Sequence, residues 1–267
     1  MKKPVRLTML VLALAASQLH ATELSGVIRS STGALPANIA VMTDRSDKQP
    51  VIVGTVEKGR YHINLPSPGM YRLRLEAKDW DAAPKIIFDP ASAGALDFMV
   101  YPEKVPESAL AAELNKLGEA DQEIRHNMPT KPDAAFYKRW QEEDMAREKR
   151  LAQIIAEKGW PAISQVGHQA ATNAWLIAQH GSAEFLKRCL VLMKAAAEKQ
   201  EIEPGHLALS IDRVLMHDGE KQVYGSQFQT DKDGKTRAYP IADPERLDQR
   251  RASMGMQPFS EYAKMFE

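Results

Sequence analysis

Tyr101-Pro102-Glu103-Lys104-Val105-Pro106-Glu107 divides the chain in two. Pro102 and Pro106 oppose both a helix interior and a central strand. The hydrophobic period also changes across the stretch. Before it, apolar residues alternate with polar ones. After it they recur every three or four positions. The pattern predicts an α+β two-domain protein. An N-terminal antiparallel β-sandwich occupies residues 22–101, a linker 102–107, and a mostly α-helical domain with one β-hairpin 108–267.

Upstream of the prolines, the segments 24–29, 38–43, 51–56, 59–65, 69–77, 85–88 and 96–100 read as short strands separated by Gly and Pro. That many strands in so short a span point to a sandwich. Three pieces, Gly26-Val27-Ile28, Gly59-Arg60-Tyr61-His62-Ile63-Asn64-Leu65-Pro66 and Pro68-Gly69-Met70-Tyr71-Arg72-Leu73, resemble the carboxypeptidase regulatory-like, or prealbumin-like, sandwich. The resemblance implies a module that binds or scaffolds and performs no chemistry. His62 belongs to a solvated strand face.

Further upstream, Lys2, Lys3 and Arg6 precede an apolar run over 7–16, the pattern of a secretory signal over residues 1–21 cleaved after Ala21. The run is too short for a membrane span, so no stable span is expected after cleavage. With no Cys following it, a lipid anchor is not expected. Cleavage removes three of 35 basic residues against 35 acidic ones and leaves a net charge of −3. No basic field therefore exists for nucleic acid. Cys189 is the single cysteine, which rules out an intramolecular disulfide and fits a periplasmic or secreted protein with a core large enough to need none. It lies on an apolar helix face, as a core thiol does.

Downstream, Ser108 can cap a helix carrying Leu110, Leu114 and Leu117, and Asp121 and Arg125 lie one turn apart on it. A long helix follows over 133–157. The next, over 161–180, carries Gly167, Ala170, Ala171 and Ala174, small enough for close helix contact. Ser182 caps a helix reaching about Gln200, and Pro204 opens another through Asp212. Segments 222–230 and 235–241 flank Asp231-Lys232-Asp233-Gly234 as a hairpin. Asp243 with Pro244 starts a helix ended by Gly255, and 260–266 forms a last short one.

Several signatures are missing: His-Glu-x-x-His, paired cysteines, a phosphate-cradling Gly-rich loop and a Gly-x-Ser-x-Gly elbow. Asp231-Lys232-Asp233-Gly234 lacks the downstream Glu of a calcium loop. No metal and no cofactor are expected. The helical region instead resembles a bacterial domain-of-unknown-function family, number 6624. The resemblance rests on Gly159-Trp160-Pro161, Trp175-Leu176-Ile177-Ala178-Gln179-His180, Asp212-Arg213-Val214, Gln222-Val223-Tyr224-Gly225-Ser226-Gln227, and Asp248-Gln249-Arg250-Arg251 before Met254-Gly255. The family pattern has Thr where this chain has Ser226, which keeps the hydroxyl. The resemblance implies no activity.

The residues themselves nominate a site. His180 ends its helix and is the side chain poised near neutral pH, either as an imidazolium favoured by the helix dipole or as a general acid or base. Asp212 is its expected acidic companion. Arg213, Gln222, Tyr224, Gln227, Arg250 and Arg251 are the expected ligand-binding groups. An Arg on the apolar stripe of its helix must be paired, with Asp212, Asp144 or Asp121 available, or else be presented to an anion. Tyr224 and Gln227 are placed on a strand, on opposite faces unless Gly225 makes a bulge. Three functions follow: a binding protein with a polar pocket for a small or anionic ligand; a hydrolase using His180 and Asp212 with the Arg pair; and a structural cell-envelope protein. The partner is a small molecule or an envelope component.

Overall fold

The computed structural model describes residues 22–36, 39–45, 51–65, 71–82, 85–87 and 96–266. The expected signal segment, Asn38 and Phe88 of the expected strands, and Pro66, Pro68, Gly69 and Met70 of the sandwich resemblance lie outside them. The fold class is α+β: a multi-stranded sheet followed by a mostly helical region.

The strands are β1 (Thr22–Ser30), β2 (Ala40–Arg45), β3 (Val51–Glu57), β4 (Arg60–Leu65), β5 (Tyr71–Glu76), β6 (Trp80–Asp81), β7 (Lys85–Ile87) and β8 (Phe98–Pro102), paired in the order β6-β8-β1-β4-β3-β2-β5-β7. Strand β4 shows why the sequence folds this way. Tyr61, Ile63 and Leu65 point inward while Arg60, His62 and Asn64 face solvent, the period-two pattern of a half-buried strand. The described pairings are antiparallel except one. Strand β1 pairs with β4 up to Val27, then turns its last three residues to run parallel with β8. Gly26 permits the crossing: a Cβ there would sit 2.0 Å from the Leu96 carbonyl oxygen and 2.7 Å from the Tyr61 ring. The inward faces form one core of Leu24, Ile28, Val41, Tyr61, Ile63, Leu65, Tyr71, Leu73, Phe98 and Val100.

Two features differ from expectation. Strand β6 is additional; it exists because it pairs with β8 through Trp80 and Pro102. Strand β8 also extends to the first residue of the expected linker. Tyr101 on it is buried in the helical core, and its hydroxyl donates to the Gln200 carbonyl.

The helices are α1 (Ser108–His126), α2 (Ala134–Lys158), α3 (Ile163–Val166), α4 (His168–His180), α5 (Ala183–Glu198), α6 (Pro204–His217), α7 (Leu247–Ser253) and α8 (Phe259–Ala263). Asp133 and Ser182 accept the N–H groups of Phe136 and Phe185, capping α2 and α5. The small-residue face of α4 packs on α1. The approach is close enough that a Cβ at Gly118 would meet the Asn173 side chain at 2.2 Å. Cys189 is buried in α5, and burial pushes its thiol up to about 12. Among the described residues no helix is long and apolar enough to cross a membrane.

The C-terminal part departs further from the reading. The hairpin is short, β9 (Phe228–Thr230) with β10 (Thr236–Ala238). Its turn is held by Asp231, whose carboxylate accepts the N–H groups of Asp233 and Lys235. Residues 222–227 form a loop, with only an isolated bridge from Gln222 to Ile241. Asp243 does not cap a continuous helix. It has φ 43°, a 3-10 turn follows over Pro244–Arg246, and its carboxylate pairs with Arg246 and Arg250.

Candidate functional site

The loop 222–227 is built around one carboxylate. Asp212, fully buried on α6, accepts the N–H of Val223 at 2.7 Å, of Tyr224 at 3.0 Å, and both N–H and hydroxyl of Ser226 at 2.9 Å. Gly225 turns the chain about it at φ +65°, where a Cβ would strike the Phe259 ring at 2.9 Å. Gln222 closes the loop. Its amide donates to the carbonyls of Gln227 and Tyr239, and its oxygen accepts the Gln227 N–H. The stretch therefore avoids the ladder its alternation predicts, because side chains take its backbone donors.

The arginines complete this scaffold. Arg250 donates to the carbonyls of Val223, Ala242 and Asp243. Arg251 is fully buried and donates to the carbonyls of Tyr224 and Gln257, with the Tyr262 ring 4.7 Å away. It pairs with no carboxylate among the described residues, and its Nη2 is buried without a hydrogen-bond partner. The expected Arg–Asp pair is thus replaced by backbone carbonyls and an aromatic face. Burial holds the Arg251 guanidinium below its ordinary value.

His180 does not join Asp212. Its Nδ1 lies 2.9 Å from Oδ2 of Asp121 on α1. Asp121 is fully buried and also meets Arg125 at 2.8 Å and the Gln122 amide at 2.8 Å. Arg125 and Arg147 both reach Asp144 on α2. Burial pushes the Asp121 carboxyl up, but the hydrogen bond and charge of His180, with the charge of Arg125, hold it below the usual carboxylate range. The His180 side chain is 22% exposed, and its Nε2 has no hydrogen-bond partner among the described residues. A carboxylate thus fixes one imidazole nitrogen and leaves the other for chemistry or binding.

Arg213 connects the two assemblies. It is half-buried on α6, its Nε donates to Gln227 Oε1 at 3.1 Å, and its Nη1 to the carbonyl of Gln179, the residue before His180. It has no ion pair among the described residues. Burial holds its guanidinium below the ordinary value, and the charge of Arg125 acts in the same direction.

The structure therefore gathers Asp212, Arg213, Gln222, Tyr224, Gln227, Arg250 and Arg251 in one loop-centred network, and places His180 in a second network reached through Arg213. Asp121 was legible as a helix-face partner of Arg125 but not of His180. A signal existed: Leu110, Leu114 and Asp121 lie on the buried face of α1, and a carboxylate on an apolar face needs a counter-group from another helix. A third polar group, His168 with Glu203 and His206, lines cavities elsewhere. Among the described residues no three His, Cys, Asp or Glu side chains are grouped to hold a metal ion.

No curated protein and no solved structure matches the chain. The match that does exist covers both networks and leaves the sheet outside it. Residues 108–267 match the family of unknown function DUF6624, and the chain belongs to that family.

Proposed function

We propose that the helical region is a binding module for a small anion, seated where α4 ends, between His180 and Arg213. In this reading the chain is exported, periplasmic or secreted, and its sheet is a carboxypeptidase regulatory-like accessory module. The observation that carries it is Arg213, a half-buried guanidinium without an ion pair among the described residues, bonded to the carbonyl of Gln179 beside His180, whose Nε2 is also without a partner among them. Cations held away from water without a counter-charge favour an anionic ligand. His180, oriented by Asp121, supplies a further donor when protonated. Arg213 supplies a planar fork, with Gln227 steadying it.

The Asp121–His180 pair also favours a second reading, a hydrolase with His180 as general base and Asp121, not Asp212, orienting it. Its weakness is the nucleophile. The Ser182 hydroxyl donates to Glu148, and that of Ser226 to Asp212. An attacking water would have to serve.

Isothermal titration of the full chain with inorganic phosphate, acetate and citrate separates the readings. Anion binding weakened at least about tenfold by R213A, in the range expected for removing a charged hydrogen bond, supports the module. Unchanged affinity in R213A, or no binding of any probe, removes it. Turnover of a p-nitrophenyl ester or phosphate that disappears in H180Q establishes the hydrolase instead.

A further inference from the structure

His168, the first residue of α4, faces several elements at the junction of sheet and helices. Its Nδ1 lies 3.1 Å from Oε1 of Glu203, which precedes α6. Its Nε2 lies 3.9 Å from Oδ2 of Asp81 on β6. Its ring stands edge-on to Tyr101 of β8, with centroids 5.0 Å apart. The ring is 16% exposed, and Nε2 is buried with no hydrogen-bond partner. A cavity of about 80 Å³ adjoins, lined by Lys85 and Tyr101 from the sheet and by His168, Gln200 and Glu203 from the helical side.

The cavity does not serve Nε2, because that atom is shut off from a water-sized contact. Nε2 instead faces the Asp81 carboxylate. At 3.9 Å that carboxylate is outside hydrogen-bond range. A movement of about 1 Å brings it inside. We propose that His168 is a protonation-controlled latch between the sheet and the helices. As imidazolium it donates Nδ1–H to Glu203 and Nε2–H to Asp81, tying β6 to α4. As neutral imidazole it keeps Nδ1–H on Glu203, and the Nε2 lone pair then opposes the Asp81 carboxylate.

The other charged groups around the ring leave this switch to His168. Burial pushes the Glu203 carboxyl up, but the hydrogen bond and charge of His168 hold it below the ordinary range, so it stays ionised near neutral pH. Lys85 on β7 acts on Glu203 in the same direction. Glu201 is occupied by the Ser164 N–H. His206, stacked on Trp175 at 3.8 Å, is held at about 4 by burial and stays neutral where an ordinary imidazole titrates. The latch is therefore closed with the His168 ring protonated and lost with its second proton. The Asp81 side chain is 49% exposed. Screening of such a pair limits the effect to roughly two- to fivefold in the opening equilibrium.

The test is a double-mutant cycle of D81N and H168Q in the full chain, with opening read from hydrogen exchange at the Trp80 amide. The expected coupling between the two substitutions is about two- to fivefold at pH 5.5 and absent at pH 8. Equal coupling at both pH values, or none at either, overturns the latch. If H168Q fails to fold, the wild-type chain still decides. The Asp81 carboxyl carbon shift should follow the His168 ring resonances between pH 5 and 8; an Asp81 resonance flat over that range overturns the proposal.

Discussion

Removing the Asp212 carboxylate should unfold its loop without touching the Asp121–His180 pair. In Asp212→Ala, four donors lose their acceptor: the N–H groups of Val223, Tyr224 and Ser226, and the Ser226 hydroxyl. The hydroxyl can turn elsewhere; the three N–H groups cannot. A hydrogen bond to a charged group contributes about 1.5–3 kcal/mol, and a buried orphan donor costs about 1–3 kcal/mol. Water entering the vacated space recovers part of this, so the expected loss is about 3–5 kcal/mol, the range for breaking a buried charged assembly. That is a large share of the ~5–15 kcal/mol stability of a typical domain. Asp212→Asn keeps one carbonyl acceptor and should lose about half as much. Urea unfolding followed by circular dichroism measures both. The ring resonances of His180 should keep their hydrogen-bonded character in the Asn variant. An Asp212→Ala protein within about 1 kcal/mol of wild type would refute the loop-anchor account and return Asp212 to a chemical role.

Other outcomes follow from the same geometry. Asp121 is held below the ordinary carboxylate range, so its contribution to stability is present above its unfolded value and lost as pH falls through its folded one. Asp121→Asn should flatten the acid limb of the stability curve; an unchanged limb contradicts the assignment. Burial pushes the Cys189 thiol up to about 12, so it should resist thiol reagents at pH 8 until the chain unfolds. Labelling of the native protein at the rate of a free thiol would show α5 to be open. Intact-mass measurement of protein from the producing cell envelope should give a chain beginning at Thr22, and a chain retaining Met1 defeats the export proposal.

Legibility in the sequence follows how local the controlling interaction is. The alternation of β4 and the cap at Ser182 are set by neighbours a few residues away, and they could be read directly. Strand β6 has two residues, too few for a period, and exists through its pairing with β8. Residues 222–227 alternate as a strand would, yet Asp212, 11 to 14 positions upstream, captures their N–H groups. The crowding of polar residues in this stretch is visible in the sequence, whereas the bonds that most of them make to one another and to the backbone are not. The His180–Asp121 pair spans 59 positions and depends on the packing of α1 against α4, which one-dimensional spacing does not encode.

In the proposed module His180 and Arg213 together receive an anion. The decisive measurement titrates ¹⁵N-labelled full-length protein with inorganic phosphate and follows the His180 ring nitrogens and Arg213 Nε. Both should shift, saturably and with one dissociation constant, while the Arg251 resonance stays in place. Phosphate leaving both unmoved, or shifting them without saturation like surface cations, would contradict it.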